Sequence, residues 1–366
     1  MNGRVLVVTS EFPPLPGGIG DHAFNLAKHL QSCDFQVNVI TDQREINPRT
    51  ENIFDEVLSF NVHRISINHM RWIMYLKRIE LLFKNIKSAD VIIASGKFSL
   101  WIVAFSSLFY KKKYVAVLHG SEVNFSSRIF KLFVNASLKR FSNLIAVSNH
   151  TKSLLKDRFL ENCVVIPNGF DPEKFNSISS KIIELKGHPK LITVGNVTER
   201  KGQLNVIKQL PALINSYPNL HYHCVGLPTM AKEFINEARE LKVNQHVTFH
   251  GRLTQEELQF HLKSCDIFVM LSAVTKEGDV EGFGIAILEA NYLRIPAIGS
   301  TNCGIEDAID NYKSGILIDP TNTEAFLKGI DKILRNENKY SSGANHWALK
   351  HTWQIIIQRY INIIMS

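Results

Sequence analysis

Short apolar runs alternate with longer stretches of helical spacing along most of this chain. In the first half, Val5–Thr9, Val37–Thr41, Val91–Ser95, Val115–His119, Leu144–Ser148 and Val164–Pro167 read as strands. They are apolar almost throughout rather than alternating, which predicts a parallel sheet covered by helices on both faces. A polar, irregular stretch from about Asp171 to Pro189 reads as a linker. The pattern then restarts with Leu191–Gly195, His221–Gly226, Val247–Gly251, Ile267–Leu271, Ile295–Gly299 and Gly315–Pro320, a second parallel sheet. The tail, Trp347–Met365, places Trp353, Ile356, Ile357, Tyr360, Ile361 and Ile364 at helical spacing. No short tandem repeat is visible. The repetition is one of two similar α/β halves, divided near residue 170.

Composition agrees with this division. The chain has 366 residues, 45% hydrophobic and 21% charged, which suits roughly two globular domains. Its charge is unevenly placed. Residues 1–170 hold 21 Lys and Arg against 13 Asp and Glu, so the whole excess of +8 lies in the first half. A basic half suggests an anionic partner surface, either membrane or polyanion. His69–Lys87 is a basic amphipathic helix, with Trp72, Ile73, Leu76, Ile79, Leu82, Phe83 and Ile86 at helical spacing and Arg71, Lys77, Arg78, Lys84 and Lys87 between them. Such a helix can lie in an anionic membrane interface. The same pattern also describes a core-facing helix with a solvated basic face. Lys111–Lys113 and the basic helix Arg128–Arg140 add to the membrane reading. The longest apolar run, Phe98–Phe109, suits a buried helix, so no spanning segment is expected. Met1–Val8 is too short an apolar run for a signal peptide. Cys33, Cys163, Cys224, Cys265 and Cys303 have no C-x-x-C spacing, which argues for a reducing compartment and against zinc.

Chemistry enters at the ends of the strands, where ligands of parallel sheets collect. The first strand runs into Ser10–Asp21, whose Gly17-Gly18-Ile19-Gly20 would let backbone N–H groups approach a phosphate at a helix start. The spacing is not G-x-G-x-x-G, which weakens a nicotinamide reading. His119 closes a strand and is followed by Gly120, well placed to touch a substrate, although a lone histidine is more often a structural hydrogen-bonder. In the second half a strand ends in Asn196-Val197-Thr198-Glu199-Arg200-Lys201-Gly202-Gln203. Two cations at a helix start have the wrong sign for its dipole, so Arg200 and Lys201 make more sense with an anion between them and the helix. Gly251-Arg252-Leu253-Thr254 is a turn before the helix Gln255–Lys263. Then comes the stretch Glu277–Ala290, acidic and glycine-rich in front and helix-forming behind. With a helix starting near Gly282–Gly284, Glu281 and Glu289 stand about 12 Å apart along its axis. A hydrolytic carboxylate pair needs about 5 to 9.5 Å, so these two acids are better placed to grip hydroxyls at two ends of one long ligand.

In combination these residues resemble glycosyltransferase family four, the retaining sugar transferases of GT-B architecture. The resemblance runs through the GGIG loop, LHG, IAVSN, VIPNGFD, VGNVTERKGQ, FHGRL, DVEGFGIAILEA and SGILIDP. It implies two Rossmann-like domains facing each other across a cleft. An acceptor-binding domain would span 1–170 and take back the tail helix, about 347–366, and a nucleotide-sugar domain would span 171–346. It implies a hexosyl transfer from a nucleotide-diphosphate sugar. Glu281 is similar to the first acid of an E-x7-E element that contacts the donor sugar, and Glu289 to the second, on the ribose. The backbone of Gly282, Phe283, Gly284 and Ile285 would hold the sugar–phosphate end. Lys201 and Arg200 resemble the cations that neutralise the diphosphate. Gly17 and Gly18 resemble the loop that closes on the phosphates, His119 the histidine near the anomeric carbon, and Gly251, Arg252 and Leu253 the base-binding turn. Asn196 stands among the donor-binding positions where many relatives carry arginine, which shifts weight onto Arg200 and Lys201. The loop Thr301–Glu306 is less glycine-rich than common versions.

The resemblance further implies no metal and no other cofactor, which fits the missing Asp-x-Asp pair, and front-face attack without a side-chain base. The expected setting is cytoplasmic, peripheral at the inner face of the membrane, with a lipid-linked acceptor in surface polysaccharide or lipopolysaccharide assembly and no nucleic-acid partner. Three rivals stay open: a nucleotide-sugar epimerase, a soluble-acceptor glycosyl synthase of the same architecture, and a non-catalytic sugar-nucleotide module. An oxidoreductase is disfavoured by the missing fingerprint.

Overall fold

The computed structural model describes residues 2–124, 127–175, 183–275 and 278–366, and leaves aside the side chains of Arg71, Arg128 and Arg158. Glu277, first residue of the acidic and glycine-rich stretch, and residues 176–182 of the expected linker lie outside the described residues, as do the Arg71 and Arg128 side chains of the two basic helices.

The chain forms two compact units, residues 1–169 with 353–366, and 170–352. In the first, β1 (Arg4–Thr9), α1 (Gly18–Ser32), β2 (Gln36–Asp42), α2 (Arg49–Glu56), β3 (Asn61–Ile65), α3 (Arg71–Ile86), β4 (Val91–Ser95), α4 (Lys97–Ser106), β5 (Lys113–Leu118), α5 (Arg128–Leu138), β6 (Asn143–Ala146), α6 (Asn149–Ser153) and β7 (Cys163–Val165) follow one another. Their sheet is parallel throughout, in the order β3-β2-β1-β4-β5-β6-β7. In the second unit come β8 (Lys190–Val194), α7 (Gln203–Ser216), β9 (His221–Val225), α8 (Ala231–Glu240), β10 (Val247–Gly251), α9 (Gln255–Lys263), β11 (Ile267–Met270), α10 (Ile285–Tyr292), β12 (Ala297–Ser300), β13 (Gly315–Ile318), α11 (Thr323–Arg335) and α12 (Glu337–Leu349). This sheet is also parallel, in the order β10-β9-β8-β11-β12-β13. The last helix, α13 (Trp353–Met365), belongs to the first unit and packs on α1. In both sheets the strand order reverses beside the first strand, so the topological switch point lies between β1 and β4 and between β8 and β11.

Buried apolar strands explain why these elements form. Val5, Leu6, Val7 and Val8 are all buried, as are Ile267, Phe268, Val269 and Met270, and such strands can sit only in the middle of a covered sheet.

β3 and α2 were not expected from the sequence. β3 is the edge strand, and its half-buried Arg64 serves ion pairs rather than an apolar face: Nε lies 2.7 Å from Asp55 and Nη1 2.9 Å from Glu51, both on α2. The tail also departs from the single helix over Trp347–Met365. α12 ends at Leu349, and the backbone of His351 and Thr352 pairs with Phe170 instead, the His351 carbonyl accepting the Phe170 N–H at 3.0 Å. Backbone groups spent on that bridge cannot continue a helix, so the returning segment begins at Trp353. Its indole is fully buried, and a Cβ at Gly169 would press on its ring.

For α3 the core-facing alternative applies to its C-terminal half, whereas Trp72 and Leu76 are exposed. Leu82 and Ile86 are fully buried and Met74, Ile79 and Leu81 pack against the same core. Arg78 is no solvated cation: it is buried, with Nε 2.6 Å from Asp42 and its guanidinium over the Phe98 ring.

Candidate functional site

Switch-point geometry puts the candidate residues of the second unit together. The segment after β8 carries Asn196, Arg200 and Lys201, and the segment after the neighbouring β11 carries Glu281. The Lys201 ammonium lies 2.9 Å from the Glu281 carboxylate, and Arg200 Nη1 donates to the same oxygen. Arg200 Nε is also 3.3 Å from Asp279. Glu281 is buried. Burial by itself raises its pKa, but the charges of Lys201 and Arg200, a hydrogen bond from Lys201 and the Gly284 N–H outweigh this and hold it below the ordinary value.

Local backbone makes this contact possible. Gly202 has φ +80°, and a Cβ there would run into the Leu271 carbonyl, so the chain after Lys201 lies directly against the end of β11. The Ser272 hydroxyl donates to the Arg200 carbonyl. Gln203, fully buried, donates from Nε2 to the Asn196 carbonyl at 3.2 Å and ties the loop to the start of α7. On the other side the Gly304 N–H donates to the Glu281 carbonyl at 2.9 Å, and a Cβ at Gly304 would meet the Gly282 carbonyl. Ser272 escaped the sequence reading, and Gly202, Gln203 and Gly304 entered it only as members of their loops, with no role of their own.

The remaining residues of this unit fall at set distances from that contact. Gly284, with φ +92°, caps α10, and Ile285 is the first helical residue. The Gly284 N–H, one of the amides assigned to a ligand, also helps to lower the Glu281 pKa. Phe283 is buried, its ring 6.3 Å from that of His351. Glu289 sits half-buried on α10, one turn beyond Ile285. Asn196 is exposed. Gly251 (φ +70°) ends the edge strand β10, and the exposed Arg252 and then Leu253 follow it, two strand steps from β8, a lateral offset of about 10 Å. They do not join the Lys201–Glu281 cluster. Thr254 and Glu257 form a capping box that starts α9 immediately after them.

Gly17, Gly18 and His119 belong to the first unit. Gly17 precedes α1, and the Glu11 carboxylate lies where its side chain would be. Arg44 holds the loop, donating to the carbonyls of Leu15 at 3.0 Å and Pro16 at 3.1 Å. Nothing lies within 4 Å of a Cβ at Gly18. His119 follows β5. Its Nε2 is 2.9 Å from the Ser95 hydroxyl at the end of β4, and its N–H donates to Glu122 Oε2 at 2.9 Å. Burial lowers the His119 pKa to about 4, so the ring is neutral near pH 7. Behind it stands His22 of α1, edge-on, with ring centroids 5.0 Å apart; His22 Nε2 meets the Tyr360 hydroxyl of α13 at 2.8 Å. Burial first, and His119 second, lower the His22 pKa well below the ordinary value. Burial raises Glu122 to about 7, opposed by the backbone N–H groups of Glu122 and His119, by Lys97 and by the Gly120 N–H. Neither His22 nor Glu122 carried a sequence signal, because each matters only through its neighbours in space. Among the described residues no group of three or more His, Cys, Asp or Glu is placed to hold a metal ion.

Residues 16–174 match the family model described as Glycosyltransferase Family 4, and residues 175–345 match Glycosyl transferases group 1. The chain belongs to glycosyltransferase family four. This glycosyltransferase is 25% identical over 394 residues, 99% of its length and 98% of the relative's, to a GDP-mannose-dependent monoacylated alpha-(1-6)-phosphatidylinositol monomannoside mannosyltransferase of Corynebacterium glutamicum. It is 27% identical over 259 residues, 66% of its length and 67% of the relative's, to the GDP-mannose-dependent alpha-(1-6)-phosphatidylinositol monomannoside mannosyltransferase of Mycolicibacterium smegmatis. Its fold is that of the Anabaena protein HepE, solved in complex with UDP and glucose, with a TM-score of 0.77 over 99% of each chain at 18% identity. That fold is GT-B. Among the described residues no helix of the glycosyltransferase is long and apolar enough to cross a membrane.

Proposed function

We propose that this glycosyltransferase moves a hexose, with retention, from a nucleotide-diphosphate sugar to a lipid-linked acceptor at an anionic membrane face. The work would serve surface polysaccharide or lipopolysaccharide assembly. The observation that carries the proposal is the shared contact of Lys201 and Arg200 with buried Glu281. A buried carboxylate held by two cations on a switch-point loop stands where a diphosphate would take its place. On donor binding the diphosphate engages Arg200 and Lys201, and Glu281, released, accepts from the sugar hydroxyls. Negative charge grows on the diphosphate as the glycosidic bond breaks, and fixed cations aimed at it are the largest catalytic term available. They supply the neutralisation a divalent ion supplies elsewhere, so no metal is needed. The Gly282–Ile285 backbone bears on the sugar–phosphate end and Glu289 on the ribose. The Gly251–Leu253 turn, about 10 Å to the side, suits the base.

In the first unit the backbone at Gly17 and Gly18 suits a phosphate. Neutral His119 donates or accepts at the sugar without adding charge, and the acceptor hydroxyl attacks on the leaving-group face, with the departing phosphate taking its proton. The acceptor site falls to the first unit. A lipid acceptor is supported by the mannosyltransferase relatives, whose names carry a phosphatidylinositol mannoside, and by the basic first half. The setting that follows is the cytoplasmic side of the membrane, with peripheral attachment.

The test is a panel of radiolabelled sugar nucleotides given to the wild type and to Glu281→Ala, with transfer and hydrolysis both counted. Loss of turnover in the variant on one donor is the expected result. Equal turnover by both proteins removes Glu281 from the site. A thermal-shift panel of UDP, GDP and ADP and their sugars identifies the base, since a bound ligand raises apparent stability by mass action.

A further inference from the structure

We infer that the anionic membrane is met through α5 and the basic cavity at its C-terminal end, with the cations supplied there rather than by α3. The inference rests on the membrane-borne acceptor proposed above. α5 is apolar on two sides. Val134 and Leu138 are buried in the first unit's core, yet Ile129, Phe130, Leu132 and Phe133 are 65, 47, 67 and 62% exposed. A helix apolar on both faces is stable only when its second face is also covered. The outer face does not stand alone. Phe130 stacks on Trp101 of α4, which meets Phe98, which in turn stacks on Tyr75.

Charge selects the occupant. A cavity of about 650 Å³ is lined by Lys111, Lys112, Lys113, Lys139, Arg140 and Asp90, with Tyr110 and Tyr114 on its walls. Asp90 is the sole acid among these lining residues, and Arg4 already holds it, through its N–H at 2.9 Å and Nη2 at 3.4 Å. Lys139 and Arg140 also line the adjoining cavity of about 510 Å³ with Leu132, Asn135 and Ala136 of α5. Lys139 and Arg140 therefore border the exposed apolar face directly, and Lys111, Lys112 and Lys113 share their cavity. Apolar rings inserted at the acyl boundary, with lysines and an arginine at the phosphate level, is the arrangement of a helix lying in an anionic interface. A second copy of the chain fits poorly, because a two-fold contact on this patch would set the cationic cavity near its own image. On α3 Leu82 and Ile86 are spent on the core and Arg78 on Asp42, while Trp72 and Leu76, 58 and 56% exposed, extend the apolar surface that reaches Tyr75.

The experiment is co-sedimentation of the full chain with vesicles of phosphatidylcholine alone and of phosphatidylcholine with phosphatidylglycerol, at low and high salt. Binding should need phosphatidylglycerol and weaken with salt. Lys112→Gln with Lys139→Gln should lower partitioning by about 25-fold, each cation near the surface being worth about fivefold. Leu132→Ser with Phe133→Ser, both at exposed positions, should release the protein as well. Lys77→Glu on α3 should bind as the wild type does. In every variant the thermal shift with sugar nucleotides should stay unchanged, which separates failure of this inference from failure of the donor site. The inference is overturned by equal binding to both vesicle types, by wild-type binding of the α5 and cavity variants, or by loss of binding in Lys77→Glu. A concentration-dependent dimer that Phe133→Ser dissolves overturns it too.

Discussion

The ammonium of Lys201 lies 2.9 Å from the carboxylate of Glu281, a residue eighty positions further along the chain. Arg200 shares that carboxylate, so the two cations compete for an acid that a diphosphate would displace. Lys201→Ala should lower kcat with the preferred donor by about 10²–10³, the usual cost of one fixed donor at a developing charge. Lys201→Arg should not restore it, since a planar fork does not fit a point-charge site. Steady-state kinetics on the labelled donor decide this.

Glu281→Gln should also cost stability, about 1–3 kcal/mol near pH 7, because it leaves two cations facing each other without a carboxylate. The folded pKa is depressed below the ordinary 4.5. The stabilisation is therefore present above pH 4.5 and is lost as pH falls through the lower folded value. Urea melts of both proteins should show a gap at pH 7 that narrows in acid.

Glu122 has the opposite sign. Its pKa rises from 4.5 to about 7 on folding, so the folded state holds the extra proton between those values and stability falls as pH rises through that window. Glu122→Gln keeps an oxygen for the His119 N–H and removes the charging penalty. The variant should be more stable than wild type at pH 8, by up to about 3 kcal/mol, and equal to it near pH 4.5. A gap that does not change with pH refutes the assignment. His119 bears on the same profile from the other direction: its folded pKa of about 4, against 6.5, costs stability as pH falls below 6.5.

Gly304 lies on the backbone of Gly282, where a Cβ would strike the carbonyl. Gly304→Ala should push the Thr301–Glu306 loop off the Glu281 segment, costing about 1–3 kcal/mol as other overpacked sites do. Donor KM should rise more than kcat falls. Thermal melts with and without donor read both effects.

Tyr360→Phe tests the support behind His119. The Tyr360 hydroxyl is 2.8 Å from His22 Nε2, and His22 Nδ1 has no hydrogen-bond partner among the described residues. Losing the hydroxyl leaves a buried ring without hydrogen bonds, about 1–3 kcal/mol. A shift in the acid limb of the activity profile, beyond the loss of stability, shows that the disturbance reaches His119.

Much of the fold is readable from local pattern. Val5–Thr9 and Ile267–Leu271 stand out because a doubly covered strand must be apolar on both sides. β3 does not stand out, since an edge strand whose half-buried arginine is held by Glu51 and Asp55 has no apolar signature. The tail shows helical spacing across Trp347–Met365, yet the interruption at His351–Thr352 exists only because Phe170 takes their backbone groups. His22 and Glu122 likewise gain meaning only beside His119.

The sequence by itself determined the two parallel-sheet halves and named Arg200, Lys201 and Glu281, because strand burial and a glycine-led helix start are local properties of the chain. Tertiary structure alone decided that these three meet, since their contact depends on β8 and β11 being neighbours at a reversal of strand order. It also decided which apolar residues of each amphipathic helix show to solvent, Ile129, Phe130, Leu132 and Phe133 on α5 and Trp72 and Leu76 on α3. α3 and α5 read alike in spacing and charge. Periodicity states that a helix has an apolar face, and only packing states what that face touches.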